Sequence, residues 1–223
     1  MEQVRRYLRA APACSFFMVA CVVVYIVTAA QSGRLDDPVG TGPHFGSPLA
    51  WDLMMVRSEV TGHGEWWRLA TSALVHLNLV HLLMNMLVIG LVGQMLERTW
   101  GTATLAVAMV VCAAGGGAAA LWLDPATAMG GASTVAYGLF AMLVGDALYR
   151  GTDVRAPLIL IAVNLVYSMT GGVSLAGHLG GLVSGAVVVL VLWLRDRLRR
   201  RPGAERDARR GGGTPGSTSN PWS

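Results

Sequence analysis

The chain has 223 residues, 53% hydrophobic and only 13% charged, with a mean hydropathy of +0.51; this excludes a soluble domain of ordinary composition and indicates one polytopic membrane domain. The formal charge of +4 and a pI near 9.3 do not indicate nucleic-acid binding, because the basic residues gather at the termini rather than along an aromatic-lined groove. Cys14, Cys21 and Cys112 fall in apolar segments without CxxC or Cys/His spacing, so buried packing is expected of them rather than redox or metal chemistry.

Residues 1–10 form a short basic N-terminus with Arg5, Arg6 and Arg9, followed by an uncharged run through Gly33. A signal peptide is the rival reading, since Ala29 and Ala30 suit cleavage, but the run is long for a signal core and reads as a retained first span. Residues 32–68 make a long first loop with Pro38, Pro43 and Pro48. Its Phe45, Trp51, Trp66 and Trp67 suit the headgroup layer, which predicts an ordered loop in contact with the membrane.

From Leu69 to Leu96 there is no formal charge, and Glu97 and Arg98 close this second span. Thr99 to Leu123 is the third, ending at Asp124-Pro125. The fourth runs from about Gly131 to Tyr149, with Asp146 one turn before Arg150 and able to pair with it. Ala156 to Leu194 is uncharged and long enough for two spans, joined near Thr170–Ser174. The expected fold is all-α: a six-transmembrane-helix bundle over 11–195, then a disordered tail over 196–223 rich in Arg, Gly and Pro. With both termini in the cytoplasm, every arginine except Arg34, Arg57 and Arg68 lies inside, as the positive-inside tendency requires. Spans two, four and six then run parallel.

That topology brings three polar groups to one depth. His81, Ser133 and His178 each precede an arginine at the cytoplasmic edge, Arg98, Arg150 and Arg195, by seventeen residues. The rise of a helix places each about 25 Å above that edge, inside the hydrocarbon near its outer surface. Polar side chains at such depths are costly and are functional candidates by default. Ser133 follows Gly131-Ala132 at the top of a helix, where exposed backbone amides favour developing negative charge. The bland alternative is a serine bonded back to its own helix. His178 shares a helix side with Gly181 and Gly185, whose small-xxx-small spacing admits a close neighbour, and Gly131, Gly138 and Gly145 offer a matching smooth side on the serine helix. Packing explains these glycines but not an imidazole at the end of their stripe.

His81 and Asn85 stand four residues apart on one face. Together with His76 they could be read as metal ligands, but no carboxylate or cysteine within the spans completes a set and HExxH is absent. Donation of N–H groups to an oxyanion fits better. A hydroxyl is a weak nucleophile until a base takes its proton, and a neutral imidazole serves, so Ser133 with His178 makes a dyad. No acid lies at that depth to complete a triad. Tyr137, one turn below Ser133, could hold the imidazole by stacking. Asn164 is the notable polar group of the fifth span, and helix–helix hydrogen bonding is its favoured reading over substrate contact.

Trp67-Arg68, the His76/His81/Asn85 stretch, Glu97 with Gly101, Gly131-Ala132-Ser133, Tyr137 and His178-xx-Gly181-xxx-Gly185 together resemble the ordered signature of the rhomboid intramembrane serine proteases. The resemblance covers about Glu65 to Trp193. It implies a six-helix rhomboid-like fold with Ser133 as nucleophile and His178 as general base and then acid. His81, Asn85 and the Ser133 amide would match the oxyanion hole, and Tyr137 the residue packed on the histidine. Trp67-Arg68, Glu97 and Gly101 would be structural, with no metal and no cofactor. The implied partners are transmembrane protein substrates and the lipid bilayer, not nucleic acid, in a multi-pass protein of a bacterial plasma membrane. One departure is Thr134, where the family often has glycine. A non-catalytic relative that binds membrane helices is the first rival reading. The second is a small transporter using the imidazoles as a proton path.

Overall fold

The computed structural model describes residues 7, 10–40, 46–124, 128–168 and 174–210. The chain forms two compact units, Met1–Val189 and Leu190–Ser223, of which the first carries the bundle and the candidate site.

Helix α1 (Pro12–Ser32) opens with proline at its first turn and ends at Gly33 in the left-handed region, φ 69°. Its first amides, which a helix cannot satisfy internally, are met by the Glu97 carboxylate: Ala13 N–H donates to one oxygen at 2.8 Å and Cys14 N–H to the other at 3.1 Å. Glu97 is buried and so is the inner face of α1, including Cys14, Cys21 and Tyr25, whereas Phe16, Val19, Val23 and Ile26 point outward as a lipid-facing stripe.

The first loop is structured. Ser47 Oγ accepts from Ala50 N–H to cap α2 (Pro48–Leu53), α3 (Arg57–His63) stops at Gly64, and α4 (Arg68–Thr71) runs into a 3₁₀ turn at Ser72–Leu74. Arg68, only 2% exposed, ties this loop together by donating to the carbonyls of Trp51 and Met54 and pairing with Glu65. Trp66 and Trp67 stay more than half exposed. Phe45 lies outside the described residues.

The second span begins ten residues later than the uncharged run suggests. Helix α5 is Leu79–Trp100, and residues 75–78 form a break in which Asn78 is extended and its side chain accepts from His81 N–H at 2.9 Å. The cap is neutral, so a count of charges passes straight over it. Within α5 a π turn at Ile89–Gly93 disturbs the backbone ladder, and the Tyr7 hydroxyl donates to the Gly90 carbonyl at 2.8 Å. Gly101, φ 84°, joins α5 to α6 (Thr102–Leu123).

Three helices follow: α7 (Ser133–Arg150), α8 (Arg155–Ser168) and α9 (Leu175–Arg210). Asp146 pairs with Arg150 at 2.8 Å near the end of α7, as its spacing suggests. Four helical segments are long and apolar enough to cross a membrane: α1, α5, α6 and Leu175–Arg199 of α9. Helix α8 is shorter, and α7 is buried from Thr134 through Met142, so neighbouring helices rather than lipid cover it and it needs no continuous apolar surface. The chain is thus an all-helical, multi-pass membrane protein. Among the described residues the one β feature is a bridge between Met55 and Met129. Helix α9 continues as far as Arg210, through Pro202 and Gly203, into the tail expected from 196 to be disordered, and 211–223 lie outside the described residues.

Glycines set the distance between α7 and α9. A β-carbon at Gly181 would overlap the Thr134 carbonyl, and one at Gly185 would overlap the Gly138 carbonyl. Gly145 is likewise filled from across the interface by Val189, at 2.5 Å from a would-be β-carbon. The two backbones therefore touch at Gly181 and Gly185, and the Val189 side chain continues the contact to Gly145.

Candidate active site

Ser133 is the first residue of α7, so its backbone N–H is one that the helix itself leaves unused. The loop that delivers it is pinned from three sides. Met55 and Met129 exchange backbone hydrogen bonds of 3.0 and 2.9 Å, Gly131 N–H donates to the Ser72 carbonyl at 2.9 Å, and Ala132 N–H donates to His76 Nε2 at 3.4 Å. His76 is fully buried, and its Nδ1 lies 3.2 Å from the Leu74 carbonyl. The proton therefore sits on Nδ1, which leaves Nε2 as the acceptor for Ala132. His76 is a brace, with both nitrogens committed to backbone.

His178 is delivered by α9, whose start is fixed by Ser174: the Ser174 hydroxyl accepts from Gly177 N–H at 3.1 Å and its carbonyl from His178 N–H at 3.2 Å. The resulting geometry brings His178 Nε2 to 2.7 Å from Ser133 Oγ. Tyr137 lies under the imidazole in a stacked contact, ring centroids 4.5 Å apart and planes 16° apart, and meets Phe140 edge-on at 6.1 Å. The stack fixes the plane of the imidazole and thereby aims Nε2.

His81 reaches the same place from α5. Gly131 has φ 143°, which favours glycine, and a β-carbon there would stand 2.7 Å from His81 Cε1 and 3.5 Å from Ser133 Oγ. Glycine 131 is thus the gap through which His81 approaches the serine. Asn85, one turn on, donates from Nδ2 to the His81 carbonyl at 2.8 Å and lines the same cavity. That cavity, about 60 Å³, is lined by Ser133, His178, His81, Asn85 and Tyr137 with apolar neighbours and Asn164 of α8. It has room for a few water molecules but not for a peptide, since occupied pockets run to roughly 300 Å³ or more.

The remaining signature residues lie away from this centre. Arg68 anchors the first loop and Glu97 caps α1. Gly101 is a joint, and Gly181 and Gly185 are the contact stripe of α9. Thr134 is buried and turns its side chain toward α6, where a β-carbon at Gly116 would stand 2.5 Å from Thr134 Cγ2. Its β-branch is therefore housed by a glycine on another helix and does not line the cavity. The bracing role of His76 and the cap at Ser174 escaped the sequence reading. Asn78, three residues ahead of His81, was the available signal for a helix start below His76.

The architecture and this cluster define a polytopic helical membrane protein with a serine and a histidine in contact between two closely packed helices. The family model described as the rhomboid domain matches residues 63–195, more than half of the chain, and the chain belongs to the rhomboid family. It is similar to the rhomboid protease GluP of Bacillus subtilis, 27% identical over 146 residues, covering 61% of this chain and 28% of that protein. RHOMBOID-like protein 4 of Arabidopsis thaliana is 29% identical over 154 residues, 63% of this chain and 39% of that one. The rhomboid protease GlpG of Photorhabdus laumondii is 33% identical over 144 residues, 59% and 48%. The chain spans less than half the length of each of these relatives.

Proposed function

We propose that this protein is an intramembrane serine endopeptidase that cuts other membrane proteins within or beside a transmembrane helix, near its outer end. The observation that carries the reading is the 2.7 Å contact between His178 Nε2 and Ser133 Oγ, with the imidazole stacked on Tyr137. The protease names of two relatives agree with it.

In the proposed reaction the Ser133 hydroxyl gives its proton to His178 Nε2 as Oγ attacks the scissile carbonyl carbon. The negative charge passes to the carbonyl oxygen, where the Ser133 N–H, His81 and Asn85 offer donors. Collapse of the tetrahedral adduct breaks the C–N bond, and the imidazolium returns its proton to the departing amine. Water, deprotonated by the same imidazole, then hydrolyses the acyl-serine. The cavity, about 60 Å³, has room for the few waters this needs. A helical peptide bond is shielded by its own hydrogen bonds, so the substrate must unwind locally, which small or helix-breaking residues near the cut would favour.

In the topology proposed here both termini face the cytoplasm, which leaves the site near the outer surface. The test is purified protein in detergent with a panel of labelled transmembrane substrates, comparing wild type with Ser133→Ala and His178→Ala. Cleavage by wild type alone is expected; equal cleavage by Ser133→Ala would refute the assignment.

A further inference from the structure

A second cavity lies away from the dyad, about 330 Å³ in volume against about 60 Å³ at the candidate site. Helix α1 forms one wall with Phe16 and Phe17, and α6 forms another with Met109, Val110 and Ala113. Ala70, Thr71 and Leu74 of the first loop complete the lining. Met109 and Ala113 are buried at its floor, whereas Phe16 and Val110 are 78% and 61% exposed at its rim, on the lipid-facing surface. Phe16 stands one turn above the start of α1 and Ala113 three turns above the start of α6, so the recess spans roughly 5 to 16 Å from the edge at which both helices begin. At Gly117, one turn beyond Ala113, a β-carbon would overlap the Leu69 carbonyl, so the first loop closes the recess at its outer end.

Voids in packed proteins rarely exceed a water molecule, so a recess of this size is filled by something. Water does not suit it. A buried water needs two to four polar partners, and the polar side chain described on the wall, Thr71, gives its hydroxyl proton to the Leu53 and Trp67 carbonyls. A transmembrane helix, about 10–12 Å across with its side chains, is too wide to enter. The medium that meets the rim at this depth is hydrocarbon.

We propose that this recess is a binding site for one acyl chain of a bilayer lipid, held in the leaflet where α1 and α6 begin. Its volume lies at the low end of occupied ligand cavities, roughly 300–1,000 Å³. No charged side chain is described on its wall, so the site takes the hydrocarbon chain and leaves the headgroup in the interface. The inference is independent of the protease reading. The bound chain backs the segment Ala70–Leu74, whose Ser72 carbonyl receives the Gly131 N–H two residues before Ser133.

The experiment is native mass spectrometry of the full chain, stripped of lipid in detergent and titrated with phosphatidylcholine or phosphatidylglycerol carrying the same acyl chains. Ala106 is an exposed lining residue of α6, and Ala106→Phe puts a ring into the recess. Val107→Phe puts the same ring at the next, lipid-facing position, which does not line it. Expected is one saturable lipid on wild type and on Val107→Phe, with the two headgroups equal within about twofold and binding weakened about tenfold or more by Ala106→Phe. Added lipid should raise the thermal midpoint of wild type and leave that of Ala106→Phe unmoved. Ala106→Leu, a smaller filler, is read in the same way should Ala106→Phe fail to fold. The inference is overturned if wild type shows no saturable lipid, or if Ala106→Phe and Val107→Phe weaken binding equally. Binding of phosphatidylglycerol alone overturns it too, since the headgroup would then be what is recognised. So does a wild-type dimer that Ala106→Phe separates, which would make a second copy the occupant.

Discussion

Gly181 lies directly against the carbonyl of Thr134, with no room for a β-carbon between them. Thr134 follows the serine, and Gly181 lies three residues after His178. The closeness of the two backbones at this point therefore sets the distance across which Ser133 and His178 meet. Gly181→Ala must push α9 away from α7, and a displacement on the order of 1 Å at the dyad costs roughly a hundredfold in rate. Gly185→Ala, whose clash is with Gly138 one turn farther from the site, should destabilise similarly and slow the reaction less. Labelling rates of Ser133 by a small phosphonate, set beside thermal midpoints, check the contrast.

The stack of Tyr137 on His178 predicts a second pattern. Tyr137→Phe preserves the ring and so the orientation of the imidazole, and should keep turnover within about threefold of wild type. Tyr137→Ala removes the platform, frees the imidazole to turn away from Ser133, and should lose tenfold or more in kcat. Ser133→Ala and His178→Ala should each lose a thousandfold or more with little change in midpoint. A Tyr137→Phe variant as slow as Tyr137→Ala would mean that the hydroxyl, not the stack, is what matters.

The residues of the candidate site are legible in the sequence because they are polar side chains within otherwise apolar spans. His81 and Asn85 are four residues apart, and the shared interval to three arginines puts His81, Ser133 and His178 at one level. What stayed hidden is made of backbone. The Met55–Met129 bridge, the Ser72 carbonyl that receives Gly131 and the Thr134 carbonyl beneath Gly181 are peptide groups, which every residue carries, so no residue type announces them. The break before α5 was missed for a related reason: Asn78 caps a helix without charge, in a run defined by lack of charge. His76 shows the limit most clearly. It shares its residue type with His81 and faces that ring at 5.3 Å, yet it braces the serine loop instead of lining the cavity.

Arg68 should prove a stability residue with a delayed effect on activity. It holds the carbonyls of Trp51 and Met54 and pairs with Glu65 while almost fully buried. Met55, the next residue, is bridged to Met129 at the root of the serine loop. Arg68→Ala leaves two carbonyls and a carboxylate unmet and should cost about 3 kcal/mol. Arg68→Lys recovers only part of this, because an ammonium cannot span the forked set of acceptors. Thermal unfolding in detergent measures the cost. At temperatures well below the midpoint the Arg68→Lys variant should still cleave, since the residue touches no reacting group.

Thr134 gives the sharpest separation of stability from catalysis. Its hydroxyl is buried and meets no hydrogen-bond partner among the described residues, while its methyl and β-carbon fill the space left by Gly116 on α6. A buried hydroxyl lacking a partner costs on the order of 1–2 kcal/mol. Valine has the same shape, keeps the contact with Gly116 and removes the unmet group. Thr134→Val should therefore raise the thermal midpoint by a few degrees while kcat and the rate of Ser133 labelling stay at wild-type values, because the side chain lies outside the cavity. Thr134→Gly, the residue more usual in the family, should instead lower the midpoint by emptying the space beside Gly116 and by loosening the first turn of α7. If Thr134→Val slowed labelling of Ser133, the hydroxyl would have to contribute to the reacting geometry, and the assignment of position 134 to packing alone would be wrong.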